Sequence, residues 1–171
     1  MILLLVLLAF SFMEFVAWSN HKYVMHGFLW SLHKDHHIGT NASKPGFQKN
    51  DLFFLIYATP AIILIITGLA SGNSYLIAIG AGISLYGLTY FMIHDVVIHQ
   101  RLPIFKNPEN KYIKAVIKAH GAHHKPSTPR DFKNYGLLLF PKRFYTQGLF
   151  TFERQFLLRG WRERCRIFFN R

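Results

Sequence analysis

The 171-residue chain is long enough for one compact domain, and 51% of it is hydrophobic. Because the apolar residues are gathered in long runs, a membrane protein is indicated and a soluble globule excluded. The lone cysteine, Cys165, excludes an internal disulfide and any cysteine-built zinc or iron–sulfur site.

In chain order, residues 1–18 form a first apolar run about long enough to cross a bilayer. A cleaved signal peptide is the competing reading, weakened by the missing basic n-region and small-residue cleavage site. Glu14 lies inside this run, either as a functional group at membrane depth or as a carboxyl that reaches the interface near a helix end. Residues 19–51 are polar. Two further apolar runs, 52–70 and 74–93, are joined by Ser71-Gly72-Asn73, a turn composition, and so form an antiparallel helix pair. Tyr86, Tyr90 and Phe91 in the last run read as helix surface rather than a pocket.

With three spans, the amino terminus and the 71–73 turn fall on one side of the bilayer, and 19–51 and everything after residue 94 on the other. The net charge of +12 then makes sense. Four of the 20 Lys and Arg lie in 22–49 and the other sixteen in 101–171, all on one face, which the positive-inside rule makes cytoplasmic. That placement suits a membrane surface and excludes nucleic acid as the partner.

Pro103 and Asn107-Pro108-Glu109 supply a turn. Residues 109–124 are predicted to form an amphipathic helix: Tyr112, Ile113, Val116, Ile117, His120 and His124 make the apolar stripe, with Lys111, Lys114 and Lys118 mainly off it. A loop follows over 125–135. Gly136–Phe140 is apolar but too short to span, so it either dips into the membrane or packs on the bundle. The tail, 141–171, mixes Arg and Lys with Phe, Leu and Trp and reads as a basic amphipathic helix on anionic headgroups.

The ten histidines carry the chemistry. His21, His26, His33, His36 and His37 lie in 17 residues; His94, His99, His120, His123 and His124 make up the rest. Both groups read H-x4-H followed by H-x2-H-H. Imidazole is the commonest transition-metal ligand in proteins, so the doubled pattern marks a metal site. On an α-helix each H-x2-H-H triplet falls within an arc of about 100° and can aim at one place, whereas the H-x4-H partners stand about 140° apart, suited to flanking two ions. His21 and His37 would be about 24 Å apart on a straight helix, so the chain must bend, at Gly27 to Ser31, and 94–124 must likewise fold back. Ten nitrogen donors exceed the needs of one ion and fit two. Such thiolate-free sites suit iron, zinc, copper or nickel, and a site fed from the lipid phase suits oxygen chemistry, which points to two irons. Asp35 and Asp95 read equally well as acceptors orienting imidazoles and as solvated carboxylates.

These boxes on a helical membrane bundle resemble the fatty acid hydroxylase superfamily of non-haem di-iron oxygenases. Within it, His21-Lys-Tyr-Val-Met-His26-Gly, Asn50-Asp51-Leu52, Gly80-Ala-Gly, Tyr86-Gly87-Leu88, Tyr90-Phe91-Met92 and His94-Asp95-Val-Val-Ile-His99-Gln100-Arg101 resemble the bacterial β-carotene hydroxylases, over roughly residues 15–140. The resemblance implies an all-α integral membrane domain over 1–171 in the bacterial inner membrane. It also implies the ten histidines as ligands to two iron ions, O2 as co-substrate and a ferredoxin-type electron donor. The implied reaction is hydroxylation of β-ionone rings at the 3 and 3′ positions, from β-carotene through β-cryptoxanthin to zeaxanthin. A fatty-acyl or sterol hydroxylase or desaturase of the same superfamily, and a non-catalytic membrane metal-binding protein, are the alternatives. The chain has no glycine-rich nucleotide fingerprint, so electrons must come from outside, and the basic face suits docking of an acidic carrier.

Overall fold

The computed structural model describes residues 1–38, 41–102, 104–105, 108–126 and 132–146. The predicted tail, from residue 147 onward, and Pro103 and Asn107 of the predicted turn lie outside the described residues. The architecture is all-helical, with no strand among the described residues.

Helix α1 (Ile2–Asn20) runs without a break into a π-helical turn, His21–Phe28. The first span is therefore longer than the predicted 1–18: the continuous rod extends over Ile2–Phe28 and carries the first histidine pair on its end. The rod stops at Gly27, whose backbone (φ −105°, ψ −123°) leaves the helical region inside the expected bend. A short helix α2 (Trp30–His33) and a 3₁₀ turn, Lys34–His37, complete the first histidine segment.

Helix α3 (Leu52–Ser71) follows a 3₁₀ turn at Lys49–Asp51, and helix α4 (Ser74–Tyr90) returns antiparallel beside it. The predicted connection is observed. Gly72 caps α3 in the left-handed conformation (φ 67°), and Asn73 caps α4 by accepting from Tyr75 N and Leu76 N. Helix α4 is the centre of the bundle, because its small residues let both neighbours approach. A Cβ on Gly82 would stand 2.5 Å from the Val6 carbonyl oxygen, and one on Gly80 would stand 2.9 Å from that of Ala61. Close approach through small residues is how membrane helices associate where lipid removes the hydrophobic drive. The outer faces, with Leu3, Leu7, Phe12, Ile62, Ile66 and Leu88 exposed, meet the lipid.

Helix α4 passes into a second π-helical turn, Phe91–Ile98. Helix α5 (Lys111–His123), capped by Asn110, then packs its Ala115, Ala119 face on Phe144 of the short helix α6 (Arg143–Thr146). It matches the predicted amphipathic helix to within two residues at each end. Of the alternatives for 136–140, packing on the bundle is observed: the segment is hydrogen-bonded to Glu14 of α1.

Candidate metal centre

Each histidine arrives by an identifiable piece of backbone geometry. In a π turn the hydrogen bonds run i→i+5, so residue i+5 stands over residue i rather than 140° round the helix. The amide of His99 donates to the His94 carbonyl oxygen in this pattern (3.0 Å). The first π turn likewise puts His21 and His26 on one face, their ring centroids 5.1 Å apart. The first H-x4-H pair therefore converges on one place rather than flanking two ions as expected, whereas His94 and His99 of the second do not share a donor set.

The histidines form two sets. His21, His26, His33, His37 and His123 offer donor atoms within 4.8 Å of one another, and so do His36, His99, His120 and His124. Both H-x2-H-H triplets are thus divided: His36 leaves its two neighbours for the second set, and His123 leaves His120 and His124 for the first. The 3₁₀ geometry at Lys34–His37 turns His36 away from His37, their rings 84° apart. His94 stands beside the second set, its ring 4.6 Å from that of His99 and 4.8 Å from that of His120, but outside the converging donors. Nine of the ten histidines are buried and His26 is half-buried.

The donor arrangement fits metal ions. Two imidazole nitrogens, each about 2.1 Å from one ion and at right angles, stand about 3.0 Å apart. The Nε2 atoms of His26 and His123 are 3.0 Å apart, those of His33 and His37 3.0 Å, and those of His99 and His120 3.0 Å. His21 Nδ1 donates to the Tyr135 carbonyl oxygen (3.0 Å) and His123 Nδ1 to that of Lys133 (3.0 Å), so each Nε2 is left with a lone pair. His33 Nδ1 lies 2.6 Å from Asn50 Oδ1, and its Nε2 faces that of His21 at 3.2 Å. Converging lone pairs in a buried site repel one another and are relieved by a cation. Buried His36 Nε2 has no hydrogen-bond partner among the described residues, as an open ligand position requires.

Electrostatics prepares the same state. Burial pushes the pKa of His36, His37, His99, His120, His123 and His124 well below the ordinary imidazole value. Burial lowers His33 to about 4, against the Asn50 hydrogen bond. At neutral pH these imidazoles are uncharged and ready to ligate.

The two aspartates that the sequence left undecided now separate. Asp95 is buried and accepts from His94 Nδ1 (3.1 Å), whereas Asp35 is half-exposed in a loose 3.8 Å pair with Lys49. Arg101 bridges Asp95 (2.7 Å) and Asp51 (2.7 Å), tying the second histidine segment to the start of α3. The Asp51 hydrogen bond, with that to Asp95 added, pushes Arg101 further up from its ordinary value. Lys133 and Tyr135 act here through backbone carbonyls, which sequence reasoning had no means of singling out.

Beneath the histidines a cavity of ≈ 270 Å³ opens between α1, α3 and α4, lined by Met13, Phe53, Tyr57, Tyr86, Tyr90 and Phe91, with Asn50 and Asp95 at its polar end. The aromatic residues expected to be plain helix surface therefore line a pocket. Tyr90 also stacks 4.8 Å from His94.

Three apolar spans carrying a buried histidine cluster at one end define a membrane protein with a metal centre. The comparisons agree: residues 6–143 match the fatty acid hydroxylase family, and the chain belongs to that family of oxidoreductases. It is 40% identical to a β-carotene hydroxylase of Pantoea ananas, over 75% of this chain and 71% of that one. It is 42% identical to a β-carotene hydroxylase of Pseudescherichia vulneris (71% and 66%) and 35% identical to one of Paracoccus sp. strain PC1 (75% and 78%). No solved structure matches the chain.

Proposed function

We propose that the chain is an O2-dependent β-carotene hydroxylase, converting β-carotene through β-cryptoxanthin to zeaxanthin at a dinuclear iron centre held by its ten histidines. The observation that carries the reading is the pair of converging histidine sets next to an apolar cavity, whose polar end, Asn50 and Asp95, bonds His33 and His94. The names of the similar proteins support the choice of substrate. In this reading His21, His26, His33, His37 and His123 hold one ion and His36, His99, His120 and His124 the other. His94, whose Nδ1 is engaged by Asp95, reaches the second ion with small adjustment of its ring. The assembly is a single membrane-embedded domain.

The cavity wall includes Phe54, Ile62 and Leu88, which are also exposed on the outer surface, so a hydrophobic substrate has a route in from the acyl chains. One β-ionone ring fits the cavity while the polyene remains in the lipid. Aromatic walls then exclude water and hold the ring beneath the metals. When bound, the metal pair supplies O2 activation: one oxygen atom enters a ring C–H bond as hydroxyl, and the other leaves as water with two electrons and two protons. Those electrons come from an external ferredoxin-type carrier, and the Lys-rich face around α5 complements an acidic one. By the positive-inside rule this face is cytoplasmic, in the bacterial inner membrane.

Pigment analysis of β-carotene-accumulating cells tests the reading. The unmodified protein is expected to yield zeaxanthin, and His120→Ala only unchanged β-carotene. A folded, iron-loaded and reductant-supplied protein that produces no new pigment would overturn the carotenoid assignment. Zeaxanthin from both would remove His120 from the essential ligands.

A further inference from the structure

Glu14 is the one acidic residue in the first span, and it is 6% exposed. A carboxyl group at membrane depth is costly unless every lone pair is used. Its use is specific. Oε1 accepts from three successive backbone amides, Leu137 (3.0 Å), Leu138 (2.9 Å) and Leu139 (3.0 Å), and Oε2 accepts from the Tyr86 hydroxyl (2.7 Å). Three consecutive amides turned onto one oxygen form a backbone anion nest. Gly136 permits it, since a Cβ there would meet the Leu139 carbonyl oxygen and come within 3.2 Å of Glu14 Oε1. Residues 132–140 are thereby strapped across the bundle, with a second pin where the Tyr112 hydroxyl donates to the Leu138 carbonyl oxygen (2.8 Å).

What the strap carries gives the pin its significance. Its Lys133 and Tyr135 carbonyl oxygens accept from His123 Nδ1 and His21 Nδ1, and its Phe132 ring stands 4.1 Å from His26 and 5.0 Å from His37. All four histidines belong to the first set. The second set draws its histidines from the 3₁₀ turn, the cap of the second π turn, and α5 with its cap, and the amides of the two caps bond within their own elements, His99 N to His94 O and His124 N to His120 O.

We propose that Glu14 is a positioning residue for the first metal subsite alone: it pins the strap whose carbonyls fix the tautomers of His21 and His123. The inference rests on the dinuclear reading above. Outer-shell partners of ligating histidines are each worth about 10–100-fold in metal affinity, so loss of both carbonyls together should empty one subsite and spare the other.

The test is iron content and Mössbauer spectrum of the full-length protein in detergent, titrated with ferrous iron. Unmodified protein should hold about two ions per chain and Glu14→Ala about one, with only one of the two spectral components lost. Glu14→Gln, which keeps an acceptor oxygen for the three amides, should retain both. Glu14→Asp withdraws the carboxyl by one methylene; it should lose the same single ion, and it serves where the alanine variant does not accumulate. Both ions retained with an unchanged spectrum in the Ala and Asp variants, or both ions lost together from a folded variant, would overturn the proposal. Fewer than about two ions in the unmodified protein would instead count against the dinuclear reading itself.

Discussion

Asn50 shows how much of the site is carried by residues that touch no metal. Its Oδ1, 2.6 Å from His33 Nδ1, fixes a ring whose Nε2 lies within 3.2 Å of two other imidazole nitrogens. Asn50→Ala would leave a buried N–H without its acceptor and let the ring turn, weakening metal binding at the first set by about 10–100-fold. Asn50→Asp, which keeps an acceptor oxygen in place, should bind as the unmodified protein does. Metal titrations of the two variants decide the point, and equal affinities would remove Asn50 from the orienting shell. At this scale the sequence was legible where chemistry resides in side chains: nine of the ten histidines singled out by type and spacing fall in the two converging sets, and His94 stands beside the second. It was illegible where the acceptor is a backbone carbonyl, as at Lys133 and Tyr135, because every residue carries that group and only the fold selects two of them. Asp95 and Asp35 look alike in sequence, each beside a histidine, and only the fold sets them apart, burying Asp95 against His94 and Arg101.

Helices were readable to the extent that length and apolarity decide them. The spans over 52–70 and 74–93 appear as α3 and the body of α4, because an element of about 20 apolar residues has one stable form in a bilayer. The π turns at His21–Phe28 and Phe91–Ile98 were not readable, since a single extra residue per turn leaves no mark on hydropathy. Each falls where a span ends at an H-x4-H pair, and the first alters the geometry of its pair from divergent to convergent. The glycines of α4 make a separate prediction about the element. A Cβ on Gly82 would lie 2.5 Å from the Val6 carbonyl oxygen and 2.6 Å from Ala9 Cβ, so Gly82→Ala must push α1 away, at a cost of about 1–3 kcal/mol. A Cβ on Gly87 meets nothing within 4 Å, and Gly87→Ala should stay within about 0.5 kcal/mol of the parent. Thermal unfolding in one detergent should separate the two variants by several degrees. If both melt together, helix packing through Gly82 is not what holds α1 to α4.

For the whole molecule, the arrangement separates two tasks along the membrane normal: lipid-exposed helices form the cavity, and their ends with the chain beyond them carry the polar metal layer. Asn50 and Asp95 belong to both, lining the cavity's end while holding His33 and His94. The two layers can nevertheless be perturbed separately. Gly87 lines the cavity from α4, one helical turn before the π turn that carries His94, and its surroundings are open enough to accept a side chain. Gly87→Phe should therefore fill the ring site without moving a ligand, leaving iron content and Mössbauer spectrum as in the unmodified protein while zeaxanthin formation falls by about two orders of magnitude. Product loss comes here from exclusion of the substrate, so cells should accumulate β-carotene alone, without the singly hydroxylated intermediate. A Gly87→Phe protein that is iron-loaded and still forms zeaxanthin would show that the ring reaches the metals by another route. One that loses its iron would show that cavity and metal layer are a single mechanical unit, and the separation of tasks argued from the lining residues would fail.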